Sequence, residues 1–209
     1  MIKFKTDLKS FEIPTGWHEL KFTDYERLVG ANEIEALKIL TGLNDIELQL
    51  IDIEGITPYL QFRQDDISLI EPIDSFVDVG NESYAKKITA CQDLGNIRHV
   101  LDVYKVNLDV YCVSVFGVYN HLINQLKELI ERDNERLKTI VTPEQKQAGI
   151  DTFNELGEFN TIDMIAEKYN YTHSEVEELP YNLIFLILLK QNISRKFEDN
   201  YRKIVSNDN

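Results

Sequence analysis

Cysteine is scarce: Cys91 and Cys112 are the only two among 209 residues. They have neither metal-ligand spacing nor the framework of a disulfide-stapled domain. Their apolar neighbours mark them as small buried hydrophobes, and so few thiols suit a reducing, cytoplasmic setting. Glycine is thin as well. The nine glycines are scattered, and neither Gly-x-x-x-x-Gly-Lys-Ser/Thr nor Gly-x-Gly-x-x-Gly occurs, so no phosphate-cradling loop can be drawn. The four histidines, His18, His99, His121 and His173, include no pair at i,i+3 or i,i+4 and no His-Glu-x-x-His. No Asp-x-Asp-x-Asp-Gly calcium loop is present. The sequence therefore leads us to expect no catalytic residue, no metal and no cofactor. Bases are outnumbered by acids, 22 to 36, giving a formal charge of −14. A field of that sign repels nucleic acid and anionic membrane surfaces. Long apolar runs are missing too. The longest, Leu183 to Leu189, has seven residues, against the roughly 20 of a membrane span. The opening Met-Ile-Lys-Phe-Lys-Thr-Asp lacks the apolar core of a signal peptide, and none is expected.

What is present is the composition of a folded protein. With 43% hydrophobic and 10% aromatic residues, the chain can build a sizeable core as one large domain or two small ones. Its acids are dispersed among apolar residues and form no tail. Ile2 to Lys5 is a candidate strand, Pro14 and Gly16 oppose helix, and Trp17 is expected to pin the N-terminal segment to the core. Thr23-Asp-Tyr-Glu26, Asn32-Glu-Ile-Glu35 and Asn44-Asp-Ile-Glu47 have the form of capped helix starts. Interrupted by Gly30 and Gly42, they predict a cluster of short helices. Leu28, Ile34, Leu37, Ile39, Leu40, Leu43, Leu48, Leu50 and Ile51 would form the inner faces. A further helix is expected from Ile56 to Arg63. Phe76-Val-Asp-Val79 alternates, Gly80-Asn81 has turn chemistry and Ser83-Tyr84 resumes an extended pattern, which predicts a β-hairpin near residues 75–87.

From Thr89 the pattern returns to helix. Asn107 is expected to cap a long helix reaching Ile130 or beyond. Up to Tyr119 it is apolar nearly all round and should be buried. From Gln125 to Lys138 it is charge-laced, with Glu128 and Arg132 at i,i+4, and should be solvated. Thr142-Pro-Glu-Gln145 combines a hydroxyl cap, Pro at the first helical position and Gln at the third, a strong helix start, and Gly157 should end that helix. The polar stretch Ile140 to Thr142 is the natural boundary. The expected fold is mainly α: clusters of short helices plus one β-hairpin in residues 1–141, then a C-terminal helical subdomain in residues 142–209.

Residues 161–179 have the rhythm of a helix-turn-helix, with Ala166 and Val176 as packing positions and a turn at Asn170. The second helix opens on the box Thr172-His-Ser-Glu175. It offers Glu175, Glu177 and Glu178 and no Arg or Lys, so carboxylates would face phosphates. A DNA-binding regulator using this unit is the alternative function. After Pro180, Leu183 to Leu189 is apolar on every side, which predicts burial on every side. Lys190, Arg195, Lys196, Arg202 and Lys203 follow, cations suited to a helix C-terminus. The same helix is also the candidate docking element, since exposed apolar faces mark contact sites. Phe185, Leu188 and Leu189, with Phe197 and Tyr201 farther along, are the candidate partner-binding residues.

Ile13-Pro-Thr-Gly-Trp17-His-Glu-Leu-Lys-Phe-Thr23-Asp-Tyr-Glu, followed by Leu37-Lys-Ile-Leu-Thr-Gly-Leu43, resembles the opening of small tail-assembly proteins of bacteriophages, especially those of Bacteroides-type hosts. The stretch from Phe76 to Tyr84, Ala148-Gly to Phe153 with Gly157, Ile165-Ala-Glu-Lys-Tyr and Glu178-Leu-Pro180-Tyr share that rhythm. The C-terminal part is similar to phage tail assembly chaperones, in which a short helical pair precedes a hydrophobic helix. The resemblance implies a non-enzymatic tail or baseplate protein that works by protein–protein binding, as an assembly chaperone or as a structural virion component. It implies other tail or baseplate proteins as partners, or further copies of the chain, with no nucleic acid and no membrane. It places the protein in the host cytoplasm during assembly, or in the virion tail.

Overall fold

The computed structural model describes residues 1–5, 10–73, 77–138 and 141–207. Helix dominates them, and their one sheet is a two-stranded antiparallel hairpin, so the fold is mainly α with a β-hairpin, as the sequence predicts. Strand β1 (Ile2–Lys5) pairs with β2 (Ser10–Ile13), with Ile2 opposite Ile13 and Phe4 opposite Phe11. Alternation turns Phe11 and Ile13 inward and leaves Ser10 and Glu12 outside. Helices α1 (Phe22–Leu28), α2 (Glu33–Thr41), α3 (Asp45–Leu48) and α4 (Ile53–Ile56) follow, then a 3-10 stretch over Thr57–Gln64. Next come α5 (Tyr84–Gln92), α6 (Ile97–Val103), α7 (Cys112–Arg136) and α8 (Pro143–Gln147). A 3-10 turn over Ile150–Leu156 leads to α9 (Glu158–Tyr169), α10 (His173–Glu178) and α11 (Tyr181–Asn207).

The chain forms two compact units. Unit 1 joins Met1–Ser75 to Lys105–His121; unit 2 joins Phe76–Tyr104 to Leu122–Asn209. The division thus differs from a single cut near residue 141, because α6 packs on α5, and α5 packs on α10 and α11. The hairpin expected near 75–87 is also replaced. Residues 74–76 lie outside the described residues, Val79–Asn81 is a 3-10 turn and α5 begins at Tyr84. Gln125 of α7 explains why no ladder forms there. Its side chain accepts from the Val79 N–H at 2.9 Å and donates to the Val77 carbonyl at 3.1 Å, taking the groups a strand partner would need.

In unit 1, Phe11, Ile13, Leu37, Leu43, Leu48, Ile56 and Leu60 form a buried cluster, with Phe4, Leu40, Ile51 and Ile53 against it. Ile34 and Leu50, expected inside, are exposed. The Trp17 indole N–H donates to the Asp65 carbonyl at 3.2 Å, and the ring meets Tyr25 and Phe62 edge-on. Asn32 and Asn44 form the capping boxes expected of them. The box at Thr23 does not form: α1 starts at Phe22, and Lys21 caps it with no side-chain bond. The cap is tertiary instead. The Phe22 N–H donates to the Val110 carbonyl at 3.0 Å, and the Cys112 N–H donates to the Leu20 carbonyl at 2.8 Å. These reciprocal bonds start α1 and α7 together. They also explain why α7 begins at Cys112 and not near Asn107, whose side chain accepts from the Asp109 N–H in a turn. Within α7, Gly117 permits close approach of the segment before it in unit 1: Ile73 donates its N–H to the Gly117 carbonyl at 3.0 Å, and a Cβ there would lie 2.5 Å from the Ile73 side chain.

Unit 2 repeats the device. The Tyr84 N–H donates to the Leu179 carbonyl and the Tyr181 N–H to the Glu82 carbonyl, both at 2.9 Å, so α5 and α11 start side by side. Tyr84, Ile162, Ile165, Ala166, Val176, Tyr181 and Ile184 form the buried cluster. Each such aliphatic side chain contributes roughly 1.5–3 kcal/mol on full burial. Thr142 and Thr172 form the expected capping boxes. Gly157 does not end the helix begun at Pro143; α8 stops at Gln147, and Gly157 instead caps the start of α9 with φ +51°.

Candidate functional site

Unit 2 gathers a set of charged side chains around Tyr181, half-buried except for the exposed Glu158. On α5, the Tyr84 phenol donates to the Glu158 carboxylate of α9, and Lys87 lies 3.5 Å from the same carboxylate and 5.0 Å above the Tyr181 ring. On α7, Arg132 donates to Asn182 at 2.9 Å and lays its guanidinium 3.8 Å from the Phe185 ring centre. Burial first, and then the hydrogen bond to Glu158, push the Tyr84 phenol far above the ordinary range. Burial likewise raises the Asp133 carboxyl, against the attraction of Lys87 and Arg132. Asp133 and Arg132 are 3.6 Å apart, an ion pair too long to be a hydrogen bond. Accordingly Asp133 Oδ1 and Arg132 Nε and Nη2 are buried without hydrogen-bond partners. The sequence reading makes this stretch of α7 solvated; at Arg132 and Asp133 it is not. The group combines the Tyr84–Glu158 and Arg132–Asn182 hydrogen bonds with an Arg132–Asp133 ion pair whose facing atoms lack hydrogen bonds, and it sets no nucleophile against a base.

Neither thiol is activated. Cys112 is pushed up to about 11 by burial, and it donates to the Trp17 carbonyl at 2.7 Å. Cys91 is also raised, chiefly by burial. A low thiol pKa is what nucleophilic cysteines need. His173 lies 3.1 Å from Asp163 on the surface, and the His99 ring meets the Thr89 carbonyl at 2.8 Å. Among the described residues, no group of three or more His, Cys, Asp or Glu side chains could hold a metal ion. Also among them, no helix is long and apolar enough to cross a membrane.

The helix-turn-helix rhythm is real as geometry. Asn170 adopts the left-handed conformation between α9 and α10, and Ile162, Ile165, Ala166 and Val176 are buried. Yet α10 is only six residues long, and its exposed side carries Ser174, Glu175 and Glu178. A reading helix needs cations beside it for phosphates, and α10 has none.

The most distinctive surface is on α11. The all-round burial expected of Leu183 to Leu189 is not found. Tyr181, Ile184 and Phe185 are buried, whereas Leu183 and Leu186 are exposed. Burial ends at Asn192, whose side chain donates to the Arg136 carbonyl at 3.0 Å. Apolar residues continue beyond it: Ile193 is 59% exposed, Phe197 68%, Tyr201 60% and Ile204 63%. The five candidate partner-binding residues therefore do not share a face. Phe185 is in the core against Arg132, and Leu189 is half-buried. Leu188 is half-buried too, lining a groove of about 420 Å³ with Leu137, Gln191, Asn192 and Arg195. Phe197 lies nine positions after Leu188, about 180° around the helix, and stacks on Tyr201 with ring centres 6.2 Å apart. Sequence reasoning missed Leu186, Ile193 and Ile204, although their spacing with Phe197 is a readable signal.

No known protein family matches the chain, and no curated protein or solved structure matches it.

Proposed function

We propose that the chain is a non-enzymatic protein of phage tail or baseplate assembly that acts by binding other proteins. It works as an assembly chaperone or as a structural component of the virion, in the host cytoplasm during assembly or in the tail itself. Its partners are other tail or baseplate proteins or further copies of the chain, with neither nucleic acid nor membrane involved. The resemblance in sequence rhythm suggests the setting. One observation carries the binding role: the uncovered apolar residues of α11, with Phe197 and Ile204 each more than 60% exposed. Contiguous exposed apolar surface on a charged, folded protein marks an interaction site.

The test is genetic and compositional. Deleting the coding sequence from the phage should abolish tailed, infectious particles; normal particle yield would overturn the proposal. Mass spectrometry of purified particles then separates the two forms. A chaperone is absent from mature particles, and a structural component is present in fixed stoichiometry.

A further inference from the structure

We infer that the exposed face of α11 is a seam for one more helix: an amphipathic helix of a partner protein, with an apolar stripe and carboxylate flanks. This rests on the protein-binding reading above and names the chemistry of the partner. Leu186, Ile193, Phe197, Tyr201 and Ile204 are all exposed. They follow at intervals of seven, four, four and three residues, with Lys190 midway in the first gap. At 3.6 residues per turn, all five fall within about 40° of one line along the helix. That is the narrow stripe of a coiled-coil seam, not the broad apolar face with which a helix lies in a bilayer surface. Tyr181, Ile184, Phe185 and Asn192, which are buried, lie more than about 100° from that line. A helix can therefore fill the seam without disturbing the core of unit 2.

Charge selects the occupant. From Lys190 to Ile204, α11 carries five cations against two anions, a net +3, which leaves −17 on the rest of a chain whose total is −14. Lys190 sits in the stripe, Lys196 stands about 100° to one side of its line with Lys203 about 120° round, and Glu198 stands about 100° to the other. All four are exposed. The same face on a second copy would set cations against cations. An anionic membrane would attract this helix but repel the acidic remainder. A helix with Glu or Asp beside its own apolar stripe satisfies both the seam and its flanks.

Binding of synthetic peptides to the full-length chain, followed by fluorescence anisotropy, tests this. The probe is a peptide of about four heptads with Ile and Leu in the seam and Glu on both flanks; the control has Lys on the flanks. The Glu peptide should bind at least ~10-fold more tightly than the Lys peptide. Phe197→Glu should abolish binding, and Lys190→Glu with Lys196→Glu should reverse the preference. Circular dichroism should show all variants folded, because the substituted side chains are exposed. The inference is overturned by no binding of the Glu peptide, by equal binding of both peptides or by indifference to Phe197→Glu. It is equally overturned if sedimentation of the chain alone shows dimers lost in Phe197→Glu, or if phosphatidylserine vesicles retain the chain and lose the variant. Particle yield and composition judge the assembly proposal separately, since a tail protein could use a partner that is not acidic.

Discussion

Two long helices of similar length treat their apolar residues in opposite ways. Helix α7 has 25 residues and buries Cys112, Val115, Phe116, Leu122, Ile123 and Leu126. Helix α11 has 27 residues, and its burial stops at Asn192, although apolar residues recur every three or four positions as far as Ile204. The sequence of either helix reports amphipathicity. It does not report whether the cover comes from the same chain. Leu122 and Leu126 contribute to folding through the area they hide, whereas Phe197 and Ile204 gain almost nothing until something else covers them.

The largest contrast should appear in urea unfolding. Leu126→Ala, at a side chain with no exposed surface, should cost about 3 kcal/mol. Phe197→Ala should change stability by less than about 0.5 kcal/mol. Comparable losses at the two sites would erase the distinction between the helices. Crowding α7 should cost somewhat less. Gly117→Val drives its side chain into Ile73 and should lower stability by about 2 kcal/mol, seen as a reduced thermal midpoint. If Gly117→Val is neutral, the packing of α7 is looser than described.

A pair of threonines tests where helix starts are fixed. Thr172 accepts from the Glu175 N–H at 3.2 Å, so Thr172→Ala should cost about 1 kcal/mol. Thr23 lies inside α1 and caps nothing, so Thr23→Ala should be neutral or slightly stabilising. Equal losses would mean that α1 is capped as its sequence suggests. This pair also shows what was legible beforehand. Starts set by a local side chain, at Asn32, Asn44, Thr142 and Thr172, could be read directly, because partner and cap are three residues apart. Starts set by a distant carbonyl could not. Phe22 with Val110, and Tyr84 with Leu179, are joined by folding alone. Those contacts displaced the Thr23 box and the Asn107 cap and, together with Gln125, which holds Val77 and Val79, the hairpin near 75–87. The candidate surface was half legible for a related reason. Phe197 and Tyr201, past the last buried residue Asn192, are exposed as a docking surface requires. Assigning Phe185 and Leu188 to the opposite face required knowing that Arg132, in α7, packs on Phe185.

The smallest effect concerns the charge that α7 does bury. Asp133 titrates above its ordinary 3.8 in the folded protein. The unfolded chain therefore releases this proton at lower pH, and folding stability is lost as pH rises from 3.8 through the folded value. Asp133→Asn escapes that loss. It should be at least as stable as the parent at neutral pH, with the difference shrinking on acidification. Urea midpoints at several pH values check this. A variant less stable at neutral pH would show that the ion pair with Arg132 outweighs desolvation.

Amide hydrogen exchange of the dilute full-length chain, followed separately over residues 112–126 and 193–205, tests the contrast between α7 and α11 most directly. Protection in the first segment should approach that of global unfolding. The second should exchange orders of magnitude faster alone and slow when the Glu-flanked peptide is added. Equal protection of both segments in the chain alone would mean that the seam is already covered, and would contradict the account.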